Sequence, residues 1–223
     1  MAQLIAQLDT ARVRANLDRV REEIAAAAQR AGRDPAEVEL CAAGKYVPAD
    51  QLGALADAGI EVVGENRAQD LEAKVAAHGD RFAWDFIGRL QSRKVKQIVP
   101  HVRIIHSLAS ESALAQLERH ADEARPGLEV LAEVNMAGEA SKGGISPAEL
   151  DAFVARCPVP LTGLMTMPPM TDRAEDSRPH FAALRELARS HGLRRLSMGT
   201  TQDFAVAVEE GATIVRIGTI LYA

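Results

Sequence analysis

The chain has 223 residues, 47% of them apolar and 26% charged, which is ordinary globular usage and fits one domain or two small ones. Its formal net charge is −5 and its pI near 5.7, a balance that argues against nucleic acid or an anionic membrane surface as partner and leaves only local binding of a small anion. Cys41 and Cys157 are too few for a disulfide framework and lack zinc-site spacing, so both are expected as buried thiols in a reducing cytoplasm.

The first seven residues have neither a basic n-region nor a long apolar run, and no later segment reaches bilayer-spanning length, so a soluble, unexported chain is expected. Val13, Leu17, Val20, Ile24 and Ala27 recur at steps of four and three, which predicts one apolar stripe on a long helix capped by Asp9 or Thr10 and ended by Gly32. Eight short apolar runs follow, at 38–43, 60–63, 84–87, 102–105, 128–134, 161–165, 196–198 and 214–217, and segments of helical period lie between them. Ser146-Pro147-Ala148-Glu149 is a capping box, and Gly59, Gly192 and Gly211 fall where helices should stop. Strands of near-continuous Val/Ile/Leu content that alternate with helices predict a parallel sheet covered on its faces, and eight units predict closure into a (β/α)8 TIM barrel. The α/β barrel is expected as one domain over 1–223, with no complete eighth helix and the extra N-terminal helix covering that gap. A Rossmann-like open sheet is the alternative, disfavoured because no G-x-G-x-x-G follows the first strand.

In such a barrel the working groups sit at the C-terminal ends of the strands. Lys45 closes the first strand. Ser197-Met198-Gly199-Thr200-Thr201 follows the seventh, supplying hydroxyls and backbone N–H groups that suit an anion. Arg216-Ile217-Gly218-Thr219 ends the eighth, pairing a permanent cation with a glycine that permits close approach. Together they describe a pocket with one amine, one cation and a phosphate cradle.

Over essentially its whole length the chain resembles the pyridoxal phosphate homeostasis proteins, similar in fold to the N-terminal barrel of alanine racemase. The resemblance rests on Gly64-Glu65-Asn66, the block from Trp84 through Gly88-Arg89 to Lys94, Ile105-His106-Ser107, Val134-Asn135, Gly138 to Gly144, Gly163-Leu164-Met165-Thr166-Met167, Leu196-Ser197-Met198-Gly199 and Ile214-Val215-Arg216-Ile217-Gly218-Thr219. It implies pyridoxal 5′-phosphate held as a Schiff base on Lys45, Arg216 as partner of the pyridine nitrogen, Ser197 with Gly218 and Thr219 as phosphate ligands, and Asn66 and Met165 lining the ring. Some positions depart from the family pattern: Gly44 stands where serine or threonine is common, and Thr200-Thr201 where Met-Ser is frequent, so the second hydroxyl of the cradle is threonine or is displaced.

Only a neutral amine captures an aldehyde, whereas lysine is ordinarily protonated at neutral pH, so Lys45 is expected in a desolvated setting facing Arg216. A guanidinium donates hydrogen bonds and accepts none, so a pyridine nitrogen facing Arg216 keeps its lone pair and the ring is a poor electron sink. The reading is therefore a non-catalytic carrier that buffers the cofactor and passes it to apo-enzymes, with no catalytic residue assigned. An amino-acid racemase is the alternative, weakened because Tyr46, expected to point away from Lys45, and Tyr222, assigned to the tail, are the only tyrosines. A phosphosugar isomerase or lyase would need a carboxylate base, for which Glu65 is the candidate. Arg89, Arg93, Lys94 and Lys96 read as a solvated helix face rather than an RNA contact, Lys142-Gly143-Gly144 as a loop, and the six histidines form no metal spacing.

Overall fold

The computed structural model describes residues 5, 7–138 and 143–223. Eight parallel strands close a barrel in chain order: β1 (Glu39–Ala43), β2 (Val62–Glu65), β3 (Ala83–Phe86), β4 (Ile104–Leu108), β5 (Glu129–Glu133), β6 (Leu161–Met165), β7 (Arg195–Thr200) and β8 (Ile214–Ile217). The ring is sealed where β8 pairs with β1, with Cys41 opposite Arg216 and Ala42 opposite Ile217. Closure disposes of the open-sheet alternative.

Because side chains alternate along a strand, one set turns inward and the other outward. Cys41, Val62, Ile104, Leu131, Met165 and Ile214 form an apolar cluster inside the barrel. Their outward neighbours, among them Ala42, Val63, Ile105, Val130, Leu164 and Val215, join the larger core beneath the helices. At the N-terminal end, Arg103 bridges Glu39 and Asp85, and Arg195 pairs with Glu129 at 2.7 Å. Charge thus plugs the floor while the opposite end stays open.

The helices are α1 (Thr10–Arg30), α2 (Leu52–Asp57), α3 (Ala68–His78), α4 (Val95–Ile98), α5 (Glu111–Arg119), α6 (Leu150–Arg156), α7 (Arg178–Ser190), α8 (Phe204–Glu209) and α9 (Thr219–Tyr222). Asp9 caps α1 through Ala11 and Arg12, and the expected stripe is the buried one. Gly32, Gly59, Gly192 and Gly211 take positive φ at helix ends, the left-handed conformation glycine adopts without a Cβ penalty. After β8 only the single turn of α9 follows, and α1 packs against α8, α9 and α2, filling the position of an eighth helix. Asn16 fastens this seam by donating to the carbonyls of Leu221 and Ala223 at 3.2 and 3.0 Å. Among the described residues no helix is long and apolar enough to cross a membrane. Cys41 is buried as expected, but Cys157 is only half-buried, because it stands at the exposed end of α6.

Candidate functional site

Lys45 sits in a one-turn 3₁₀ segment, Gly44–Tyr46, that leaves the C-terminal end of β1. The desolvation expected there is not present: Lys45 is exposed, with its ammonium 4.7 Å from the centre of the Tyr46 ring. This corrects the expectation that Tyr46 points away, because a cation over an aromatic face is favourable. Tyr222 is also nearer than a tail residue should be, donating its hydroxyl to the Ala43 carbonyl at 3.1 Å. Both tyrosines therefore brace the lysine turn.

Arg216 lies inside the barrel end, buried, and its terminal nitrogens are fully engaged. Nη1 donates to the Ser197 carbonyl and hydroxyl at 2.7 and 2.6 Å, while Nη2 donates to the Thr166 carbonyl at 3.1 Å and the Met167 sulfur at 2.8 Å. A guanidinium has five N–H groups; the fifth, on Nε, bonds no described residue. Burial works against the charge of Arg216, with Asp203 and Glu133 pulling the other way.

Behind Arg216 runs a polar chain that apolar-run reading of the strands does not reveal. Ser197 Oγ lies 2.8 Å from His106 Nδ1, and His106 Nε2 lies 3.1 Å from Asp85, which also receives Arg103 Nε at 2.8 Å. Ser197, His106 and Asp85 are all essentially excluded from solvent. Burial holds His106 below its ordinary 6.5, and the positive Arg216 and Arg103 add to this, against the pull of Asp85. The imidazole is therefore neutral at pH 7.

Two cavities meet at Arg216 and Met167. The larger, about 810 Å³, is lined by Asn66, Ile87, Ser107, Glu133, Met165 and the exposed Arg89 and Arg93 among others; the smaller, about 480 Å³, by Gly199, Thr200, Asp203 and the loop after β6. Asn66 Oδ1 is buried and has no hydrogen-bond partner among the described residues. Its backbone is pressed against the loop after β3, where a Cβ at Gly88 would fall 2.1 Å from the Asn66 carbonyl oxygen. Glu133 faces the same cavity, and burial raises its carboxyl above the ordinary range.

The cradle residues do not form one unit. Thr201 Oγ1 accepts the Gly218 N–H at 3.2 Å, next to the exposed Thr219, while Thr200 turns back to bond Asp203 through its N–H at 2.7 Å and its hydroxyl at 3.1 Å. Ser197 stands apart from both, since its hydroxyl is shared between Arg216 and His106. Lys45 adjoins the Gly218 side of the mouth through the β1–β8 pairing, and a Cβ at Gly218 would lie 3.6 Å from that of Ala43. Glu65 is no free base: it is buried in an ion pair with Lys74, whose ammonium also donates to the Gly44 carbonyl at 2.9 Å. Lys142 lies outside the described residues.

Among the described residues, the barrel mouth combines an exposed lysine, a buried arginine with one N–H to spare and an unpaired amide oxygen, which makes the strand ends a candidate cofactor-type site. Residues 9–223 match the family model for the alanine racemase N-terminal domain. The pyridoxal phosphate homeostasis protein of Aquifex aeolicus is 43% identical over 217 residues, covering 92% of this chain and 95% of its own, and that of Pseudomonas aeruginosa is 40% identical with 93% of each covered. The chain belongs to this family, the pyridoxal phosphate homeostasis proteins. Among solved structures, PipY of Synechococcus elongatus with pyridoxal phosphate bound is 31% identical with TM-score 0.78, covering 95% of this chain and all of its own. Alanine racemase of Clostridium difficile, 13% identical with TM-score 0.71 and 59% covered, shares the fold.

Proposed function

We propose that the protein holds pyridoxal 5′-phosphate as a Schiff base on Lys45 and serves in the cytoplasm as a buffer of the cofactor that passes it to apo-enzymes. The observation that carries this is Arg216: a buried guanidinium with every terminal N–H bonded and its Nε–H bonded to no described residue. Such a donor fits a ring nitrogen with a lone pair. Asn66 Oδ1 needs a donor that the described protein does not supply, and Met165 gives the ring an apolar wall. Gly218 and Thr219, with Thr201, are assigned the phosphate, and Ser197 acts on the ring end through Arg216.

The bound cofactor supplies an aldehyde that captures amines. The chain's own part is to present Lys45, hold the ring and keep its nitrogen unprotonated. A pair of acid/base groups on opposite faces, which racemisation needs, is not assembled by the two tyrosines: Tyr222 is committed to Ala43 and Tyr46 lies beside Lys45. The test is absorbance followed by borohydride reduction and peptide mass spectrometry. Wild type is expected to show a visible imine band and a reduced adduct on Lys45, and Lys45→Ala neither, with its melting temperature retained. An adduct on Lys94 or Lys142 instead would overturn the assignment.

A further inference from the structure

The strand interiors carry a polar chain that the cofactor reading alone does not require. Six buried or half-buried polar side chains, Arg216, Ser197, His106, Asp85, Arg103 and Glu39, run in unbroken contact from the mouth to the floor. Burying such groups is costly unless each is matched, and here each is matched in only one sense. Asp85 accepts from Arg103 and must receive the Nε2–H of His106, because a carboxylate facing a ring lone pair would be repelled. His106 Nδ1 is then an acceptor. The Ser197 hydroxyl gives its proton to that nitrogen, and its oxygen is left to receive Arg216 Nη1.

Resting on the assignment of Arg216 to the cofactor's ring nitrogen, we infer that His106, oriented by Asp85, is a positioning residue that fixes the Arg216 guanidinium through Ser197 and so sets the protein's discrimination for a ring bearing a nitrogen lone pair. A guanidinium held at Nη1 and Nη2 cannot rotate, so its Nε–H keeps one heading. Without the His106 acceptor, the Ser197 hydroxyl reorients and this alignment is lost. The groups facing His106 are Asp85 and Ser197 in direct contact and the more distant cations Arg216 and Arg103. Burial keeps the imidazole neutral, which is the only protonation state that leaves Nδ1 an acceptor.

The experiment compares two rings on the full chain: pyridoxal phosphate, and its 1-deaza analogue, which has C–H in place of the ring nitrogen and the same phosphate and aldehyde. One lost charge-assisted hydrogen bond predicts that wild type prefers pyridoxal phosphate by roughly tenfold to a hundredfold. His106→Leu and Ser197→Ala are each expected to cut that preference at least fivefold, while the preference for pyridoxal phosphate over pyridoxal stays within twofold. His106→Asn, which returns an acceptor near the Nδ1 position, is expected to recover most of the ring preference. His106→Leu leaves Asp85 paired with Arg103, which favours a folded protein; should it not fold, Ser197→Ala and His106→Asn decide the matter. Variants that bind both rings more weakly by the same factor would overturn the inference, because a merely structural histidine behaves in that way. Wild type that binds both rings equally would overturn it as well, by removing Arg216 from the ring nitrogen. Wild type that binds neither ring would instead overturn the cofactor reading itself.

Discussion

His106 is a neutral imidazole sealed between an aspartate and a serine, and that state limits the pH range of the fold. Burial places its folded value below the ordinary 6.5, so in the unfolded chain the ring takes up a proton first as pH falls. The stability it contributes is complete above about 6.5 and is lost as pH drops from there through the folded value. Glu133 carries the opposite sign, since its raised carboxyl contributes stability at low pH that is lost as pH rises through its folded value. Comparing variants isolates the histidine: urea midpoints measured from pH 7.5 to 5 are expected to fall for wild type and to fall less for His106→Asn. An equal slope in both would remove His106 from the acid limit. Neither residue's role was legible in the sequence from composition or spacing. Lys45, Arg216 and Gly218 stand at strand ends where chemistry is sought, but Ser197 also stood there, and only its contacts show that it faces inward to His106. Glu65 looked like a free carboxylate because Lys74, its partner, lies nine residues away on another element.

At the level of elements, all eight strands were legible because each has an apolar core, yet three ran past the end of their apolar runs, among them β2, expected at 60–63 and spanning Val62–Glu65. β4 was expected at 102–105 and spans Ile104–Leu108; β7 was expected at 196–198 and spans Arg195–Thr200. The residues left out include polar side chains, Glu65, His106, Ser107 and Thr200, that break hydrophobicity while continuing the backbone ladder. Function was thus hidden where pattern ended. The loops that hold the site depend on close backbone approach as much as on side chains. At Gly88 a methyl group would overlap the Asn66 carbonyl, and backbone cannot yield cheaply. Gly88→Ala is expected to cost about 1–3 kcal/mol and also to weaken pyridoxal phosphate binding, because it displaces Asn66. Calorimetric melting and a cofactor titration check the two effects, and unchanged affinity would separate Asn66 from the ring.

The whole barrel has two unlike ends, a floor closed by Arg103 and Arg195 ion pairs and a mouth where Arg216 and Asn66 line an open cavity and Lys45 is exposed just past β1. For the proposed carrier that asymmetry favours storage over turnover: one open end serves both entry and exit of the cofactor, and neither tyrosine is free to act as an acid on a second face. In deuterated water with L-alanine, the loaded protein is expected to show no appreciable α-proton exchange or racemisation. Arg216→Glu, which offers the ring nitrogen a proton acceptor and so favours its protonated form, is expected to gain exchange if it retains the cofactor. Rapid Lys45-dependent exchange in wild type would establish catalysis in place of carriage. The clasp between Asn16 and the carbonyls of Leu221 and Ala223 bears on how the molecule is made. A ribosome releases α1 well before α9, so the helix emerges about 200 residues before the turn it fastens. Until then its stripe of Val13, Leu17, Val20 and Ile24 can pack against α2 but not against α8 and α9, so the nascent chain carries a partly uncovered apolar helix over that interval. Barrel closure therefore waits for β8 and α9, and the interval before it is when the chain is most exposed to aggregation and to capture by chaperones.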